Sequence, residues 1–361
     1  MNEFKNLNAE KYFRWLFRRN ETLDQVVFYF LSTVNATSPR LFPLFEASSK
    51  IRIVYIKGSR IPRTDLITSK LANILYRLAK KKIEKYGYVH IVTGTTCLKN
   101  KNQILHVDDP NYSILEKHFL QKWEIQLREK NLNPIIICTN NFTQAYLKAF
   151  LLETKILLIE QGFNDPNIHN EVIKYSTNKQ NFSCVYSSPY IHVGRDKHAN
   201  HGTWGADLLV NKVIPELFIR EPSIEIHLIG EVGEFAKAKL KKFRNVVYHG
   251  RVSFEENMAI SAQCSIGIYP RQNDFKRSMS KIFTYIGAGL PIVTFDLYDT
   301  EIVKNLDLGF SVTSLEEFIS KIIYLKNNPK DLDKFRERIS SIKAGYTWEC
   351  LSAKMEAELT Q

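Results

Sequence analysis

At 361 residues the chain is too long for one compact core, and a prior of roughly 100 to 200 residues per domain points to two. Apolar residues at 44 % and aromatics at 12 % can fill two cores and exclude global disorder, while a formal charge of +12 points to an anionic partner: nucleic acid, a membrane surface or a phosphorylated substrate. Cys97, Cys138, Cys184, Cys264 and Cys350 are scattered without a C-x-x-C pair, which excludes a zinc site or disulfide framework and reads as reduced core thiols of a cytoplasmic protein.

The first twenty residues, "MNEFKNLNAEKYFRWLFRRN", contain no unbroken apolar run, and nothing later approaches about 18 consecutive apolar residues. The expectation is a chain neither secreted nor membrane-spanning. Strand-like runs then follow at Val26 to Leu31, Ile51 to Ile56, Tyr88 to Val92, Gln103 to Val107, Pro134 to Thr139 and Lys155 to Glu160. Helix-length segments, Thr64 to Lys85 and Ser113 to Lys130, lie between some of them. The first carries Leu66, Ile67, Leu71, Ile74, Leu75, Leu78 and Ile83 at helical spacing with basic residues between, read either as a core helix with a solvated face or as a face lying on anionic headgroups.

After the turn-rich Gln161 to Asn170 the alternation restarts. Strands are expected at Ser183 to Ser188, "YIHVG", Ile224 to Gly230, Val246 to Gly250, Ser265 to Pro270, Pro291 to Phe295 and Gly309 to Val312, with helices at Ala206 to Leu217 and Phe254 to Gln263. Near-continuous apolar strands separated by helices indicate parallel sheets covered on both faces. The predicted class is therefore α/β, with two Rossmann-like doubly wound domains facing a cleft outside the carboxyl ends of their strands.

Four stretches of the second half, in order, resemble the C-terminal domain of GT-B glycosyltransferases: "YIHVGRD" with "WGADLLVNKVIPEL", "IHLIGEVGE", "VVYHGRVSFEENMAISAQCSIGIYP" and "KIFTYIGAGLPIVTFD". The resemblance is to the large retaining GT-B group that includes capsule and lipopolysaccharide sugar transferases. It covers roughly residues 155 to 350. It implies a donor domain over 166–345, an acceptor domain over 1–165, and a terminal helix over 346–361 crossing back to the first domain through Trp348 and Leu351. It further implies transfer of a sugar from a UDP- or GDP-type donor to a glycan or lipid-linked glycan at the cytoplasmic face of the membrane, the protein being peripheral there.

In "RQNDFKRSMSKIF", Ser278 or Ser280 can cap a helix whose free amides and partial positive charge suit a phosphate, with Lys281 reaching the same group. Sugar transfer leaves negative charge on the departing diphosphate, which preorganised cations and amides stabilise. Arg195, just past a strand end, can pair with a diphosphate; Gly230 lets a ligand approach backbone amides. The donor contacts the resemblance implies are Arg195, Gly230, Glu231, Arg251, Tyr269, Arg271, Ser278, Met279, Ser280, Lys281 and Thr284. Thr284 and Lys276 stand where many relatives carry two glutamates eight positions apart, so ribose recognition must differ here.

In the first half, Asp108 and Asp109 end a strand in "ILHVDDPNYS". They are expected either as a general base for the acceptor hydroxyl or as cap and turn residues. Asn35 and Arg40 are candidate acceptor or phosphate contacts. His198 and His201 lack a third ligand at metal spacing, and neither metal nor cofactor is expected. Two other functions compete: a hydrolysing nucleotide-sugar epimerase of the same fold, and a basic nucleic-acid-binding protein, against which no recognised nucleic-acid module appears.

Overall fold

The computed structural model describes residues 135–164, 181–197, 205–272 and 280–360, the strands below, and a few isolated residues. The chain forms two compact units, one comprising Met1–Glu160 with Trp348–Gln361, the other Gln161–Phe275 with Met279–Thr347.

The first unit holds a six-stranded parallel sheet, β1 (Val26–Phe30), β2 (Arg52–Ile56), β3 (His90–Thr93), β4 (Gln103–Val107), β5 (Ile135–Cys138) and β6 (Lys155–Leu158), in the order β2-β1-β3-β4-β5-β6. Each strand falls on the apolar run that predicts it. Helix α1 (Asn141–Lys148) follows β5 because Asn140 is extended and its side chain accepts from the Thr143 amide at 2.8 Å. Helix α9 (Trp348–Thr360) belongs to this unit. Trp348, Leu351 and Met355 are buried at i, i+3, i+7 spacing, and Lys354–Glu160 and Lys155–Glu358 ion pairs lay the helix antiparallel to β6.

The second unit runs β7 (Ser183–Ile191), β8 (Glu225–Val232), β9 (Val246–Gly250), β10 (Ile266–Tyr269), β11 (Ile292–Phe295) and β12 (Gly309–Val312), ordered β12-β11-β10-β7-β8-β9 and parallel throughout. This is the doubly wound order in which the chain leaves the first strand on one side and returns on the other, so β7 and β10 flank the topological switch point. Helices α2 (Ala206–Leu208, a π turn Leu209–Val213, then Ile214–Arg220), α3 (Glu234–Leu240), α4 (Phe254–Gln263), α5 (Ser280–Gly287), α6 (Glu301–Asn305), α7 (Leu315–Asn327) and α8 (Pro329–Ile342) complete it. Ser253 and Glu256 close a reciprocal capping box at the start of α4.

Two expectations change. The runs "SCVYSS" and "YIHVG" are one strand: β7 passes through Pro189, which has no N–H for the ladder, by a register shift between Ser187 and Tyr190. Of the cysteines, Cys138, Cys184 and Cys264 are buried, with Cys138 and Cys264 pushed up to about 12 by burial and so inert, but Cys350 is exposed. Cys97 lies outside the described residues.

Candidate functional site

Helix α5 carries the candidate site, and its C-terminal end is fixed. At its end Leu290 N–H reaches the Tyr285 carbonyl, with Gly289 at φ +74° as the left-handed terminator. A side chain on Gly287 would stand 2.7 Å from Met258 and 2.8 Å from Phe163, so the first glycine of "GAGLP" permits close packing and the second the turn. From α5 the buried Tyr285 hydroxyl enters the crevice between β7 and β10, where it accepts from Ser187 N–H at 3.2 Å and lies within hydrogen-bond distance of the Val185 and Ile268 carbonyls. The helix is thereby anchored over the middle of β7 and the carboxyl end of β10.

Ser280 is the first residue of α5 and Lys281 the second. The Lys281 amine lies 4.7 Å from the centre of the Tyr186 ring on β7 and 5.0 Å from that of Tyr269 on β10, with Nζ donating to the Tyr186 hydroxyl at 3.4 Å. Burial pushes this amine well below the ordinary lysine value of 10.5, and the Arg271 guanidinium adds to the shift. A helix N-terminus also disfavours a cation. Three influences therefore oppose the ammonium, and an anion at this position would reverse the balance.

Arg271, expected as a donor contact, is only 1 % exposed; its Nη1 lies 2.8 Å from the equally buried Asp299 carboxylate and donates to the Tyr269 hydroxyl at 3.2 Å. Thr284 is buried at 8 % exposure and donates to the Ser280 carbonyl at 3.0 Å, a satisfied helix-internal bond. Glu231 and Arg251 pair at 2.7 Å, Arg251 lies over Tyr190 at 4.8 Å, and His192 reaches Glu231 at 3.5 Å, closing the carboxyl ends of β7, β8 and β9. At Gly230 (φ +134°) the close approach belongs to the chain itself: an added side chain would stand 1.6 Å from the Ser188 carbonyl oxygen.

Arg195 is exposed and, among the described residues, has no ion-pair partner. Its neighbour Asp196 is the ordered member of "VGRD". The Asp196 carboxylate accepts from Val193, Phe235 and Ala236 amides at 3.0, 2.8 and 3.1 Å; burial works against its charge, but these bonds outweigh it and hold the carboxyl below the ordinary value. It thereby fills the N-terminus of α3. Asp108, Asp109, Asn35, Arg40, Ser278, Met279, His198 and His201 lie outside the described residues. Sequence reasoning missed Tyr186, which lies midway along β7, and Asp299, which lies shortly beyond the carboxyl end of β11; neither stands out from an ordinary strand or turn residue.

No protein-family model and no curated protein matches this sequence. Solved structures do match in shape. Anabaena Alr3699/HepE in complex with UDP and glucose aligns at a TM-score of 0.60 and 12 % identity, over 93 % of this chain and 99 % of that one. Sucrose-phosphate synthase from Thermosynechococcus elongatus gives 0.60 at 14 % identity over 93 % and 98 %, and TarM 0.55 at 16 % over 80 % of this chain and 58 % of its own. With a parallel Rossmann-like sheet in each unit and these structural neighbours, the chain has the GT-B fold.

Proposed function

We propose that the chain is a glycosyltransferase that moves a sugar, a hexose in the simplest case, from a UDP- or GDP-type donor onto a glycan or lipid-linked glycan. The observation that carries the reading is the Lys281 amine at the start of α5, at the switch point where doubly wound sheets take their ligands. UDP in the Anabaena neighbour supports the donor class.

The chemistry follows from charge. As the glycosidic bond to the diphosphate breaks, negative charge grows on the leaving oxygen. Lys281 as an ammonium and the free amides at the α5 N-terminus offset it, so we propose that transfer needs no metal and persists in a chelator. The acceptor hydroxyl must lose a proton; Asp108 and Asp109, which follow β4, are the proposed bases, and Asn35 and Arg40 the proposed acceptor contacts. The basic segments Lys11 to Arg19 and Tyr76 to Gly87 would hold the protein on an anionic membrane surface, at the cytoplasmic face where lipid-linked acceptors are built up.

The test is a panel of UDP- and GDP-sugars, followed by thermal shift and by release of nucleoside diphosphate with and without glycan acceptors. A Lys281→Met enzyme should remain folded and lose transfer by roughly 10²- to 10³-fold, the scale of one lost transition-state donor. Unchanged transfer in that variant would refute the assignment. Diphosphate release with sugar epimerisation and no need for an acceptor would indicate the epimerase reaction instead. Salt-sensitive retention of nucleic acid without any nucleotide-sugar response would indicate the third function.

A further inference from the structure

Arg271 and Asp299 form a buried ion pair beside the proposed diphosphate site, and neither side chain is placed to meet a ligand directly: they are 1 % and 0 % exposed. Arg271 leaves β10 one residue after Pro270, and Asp299 lies in the short helical turn Tyr298–Thr300 that follows β11. The pair is therefore made between the exits of two adjacent strands, on the side of the switch point that α5 covers. Desolvating two charges is costly, and such a pair is often no more stable than an apolar replacement, so its contribution is sought in what it does to its neighbours.

Those neighbours are specific. The Arg271 guanidinium donates to the hydroxyl of Tyr269, and the ring of Tyr269 is one of the two that flank the Lys281 amine. Among the described residues, the titratable and charged groups around that amine include Tyr186 from β7, Tyr269 from β10, Arg271 from the exit of β10 and, behind Arg271, Asp299, with Tyr285 of α5 next to Tyr186. Two basic groups thus stand close together in a poorly solvated place, and Asp299 is a carboxylate beside them. Without it the guanidinium would lose the countercharge that Asp299 supplies, and Lys281 would feel more of the like charge on Arg271.

We propose that Asp299 is a positioning residue of the site: it ties Arg271 to the Tyr269 hydroxyl and offsets its charge, so that Lys281 can carry a proton where the nucleoside diphosphate would lie. Asp299 acts through Arg271 and touches neither donor nor acceptor. The proposal rests on the diphosphate-binding reading above for its purpose, but its physical content, the charge coupling of Asp299, Arg271 and Lys281, is measurable without any nucleotide.

The experiment uses the full chain with lysine side chains selectively labelled with ¹³C, the Lys281 resonance being assigned by its absence from K281R. In Asp299→Asn the Lys281 titration midpoint should fall below that of the parent protein. In the double variant Arg271→Gln/Asp299→Asn it should rise above the parent, because the nearer cation is gone as well. Affinity for UDP and GDP at fixed pH should follow the midpoint, dropping about tenfold for each unit by which the midpoint lies below the assay pH. If Asp299→Asn does not fold, the double variant, which leaves no unpaired buried charge, decides alone: a midpoint above the parent's supports the coupling and one at or below it overturns it. Loss of melting temperature with an unmoved midpoint in both variants likewise overturns it, since that is what a merely structural pair would give. Midpoints that move as stated in a protein that binds neither UDP nor GDP would uphold the coupling and defeat the diphosphate reading.

Discussion

Binding of a nucleoside diphosphate should take up a proton at Lys281. In the free protein, burial and Arg271 hold the amine well below its ordinary value of 10.5, so above that lowered midpoint it is neutral. One phosphate charge at ~4 Å in an effective dielectric of ~20 favours the ammonium by about 4 kcal/mol, equivalent to a rise of roughly 3 pH units. Between the free and the bound midpoints each nucleotide bound should therefore bring up to one proton with it. Titration calorimetry of UDP and GDP in buffers of different ionisation enthalpy reads this directly: the apparent enthalpy should vary linearly with buffer enthalpy, with a positive proton uptake that vanishes in Lys281→Met. Affinity should be greatest below the free midpoint and fall as pH rises through it. Binding enthalpies that are the same in all buffers at every pH below the ordinary lysine value, with affinity flat over that range, would refute the reasoning.

Other expectations concern the scaffold. Trp348→Ala should destabilise the first unit by about 3–5 kcal/mol, read from urea unfolding, because the ring is buried at the start of α9. Tyr285→Phe should cost about 1–3 kcal/mol by leaving the buried Ser187 N–H without its acceptor, while Lys281 stays in place. The His227 and His249 rings stack on neighbouring strands with Nδ1 and Nε2 2.9 Å apart, and burial lowers both pKa values from 6.5. Neutral imidazoles are favoured in the folded state, so their contribution is intact above pH 6.5 and is lost as pH falls through the lowered folded values. Melting temperatures between pH 8 and 5 should decline less in His249→Gln than in the parent.

The sheets were legible for a physical reason. A parallel strand covered on both faces must be apolar along its length, so runs such as "PIIICT" and "IEIHLIG" announce themselves, and β5 and β8 fall at them. Pro189 misled because a proline ends a strand by its own chemistry, whereas here a shift of register carries β7 past it. Of the candidate site, the local part was legible and the long-range part was not. Lys281 could be read from the helix-start pattern, which is local, but its flanking Tyr186 comes from 95 residues away and looks like any core aromatic of a strand. In "VGRD" the arginine drew notice as a phosphate ligand; the structure shows Asp196 as the residue with a fixed task, because its partners lie at a helix start about 40 residues on. Neither long-range pairing leaves a periodic trace in the sequence.

Thr284 and the burial of Lys281 belong to one arrangement. On α5, positions 281 and 284 are three apart and share a face, so a glutamate at 284 would stand within reach of the lysine and could neutralise it before any ligand arrived. Threonine cannot, and its hydroxyl is occupied by the Ser280 carbonyl. Asp299 pairs with Arg271 at the neighbouring strand exit. An anion arriving at Lys281 brings its own countercharge and, with it, a proton. Under the proposed function, the departure from the resembling family at this position would change the ribose contact while keeping the phosphate end of the site suited to an anion.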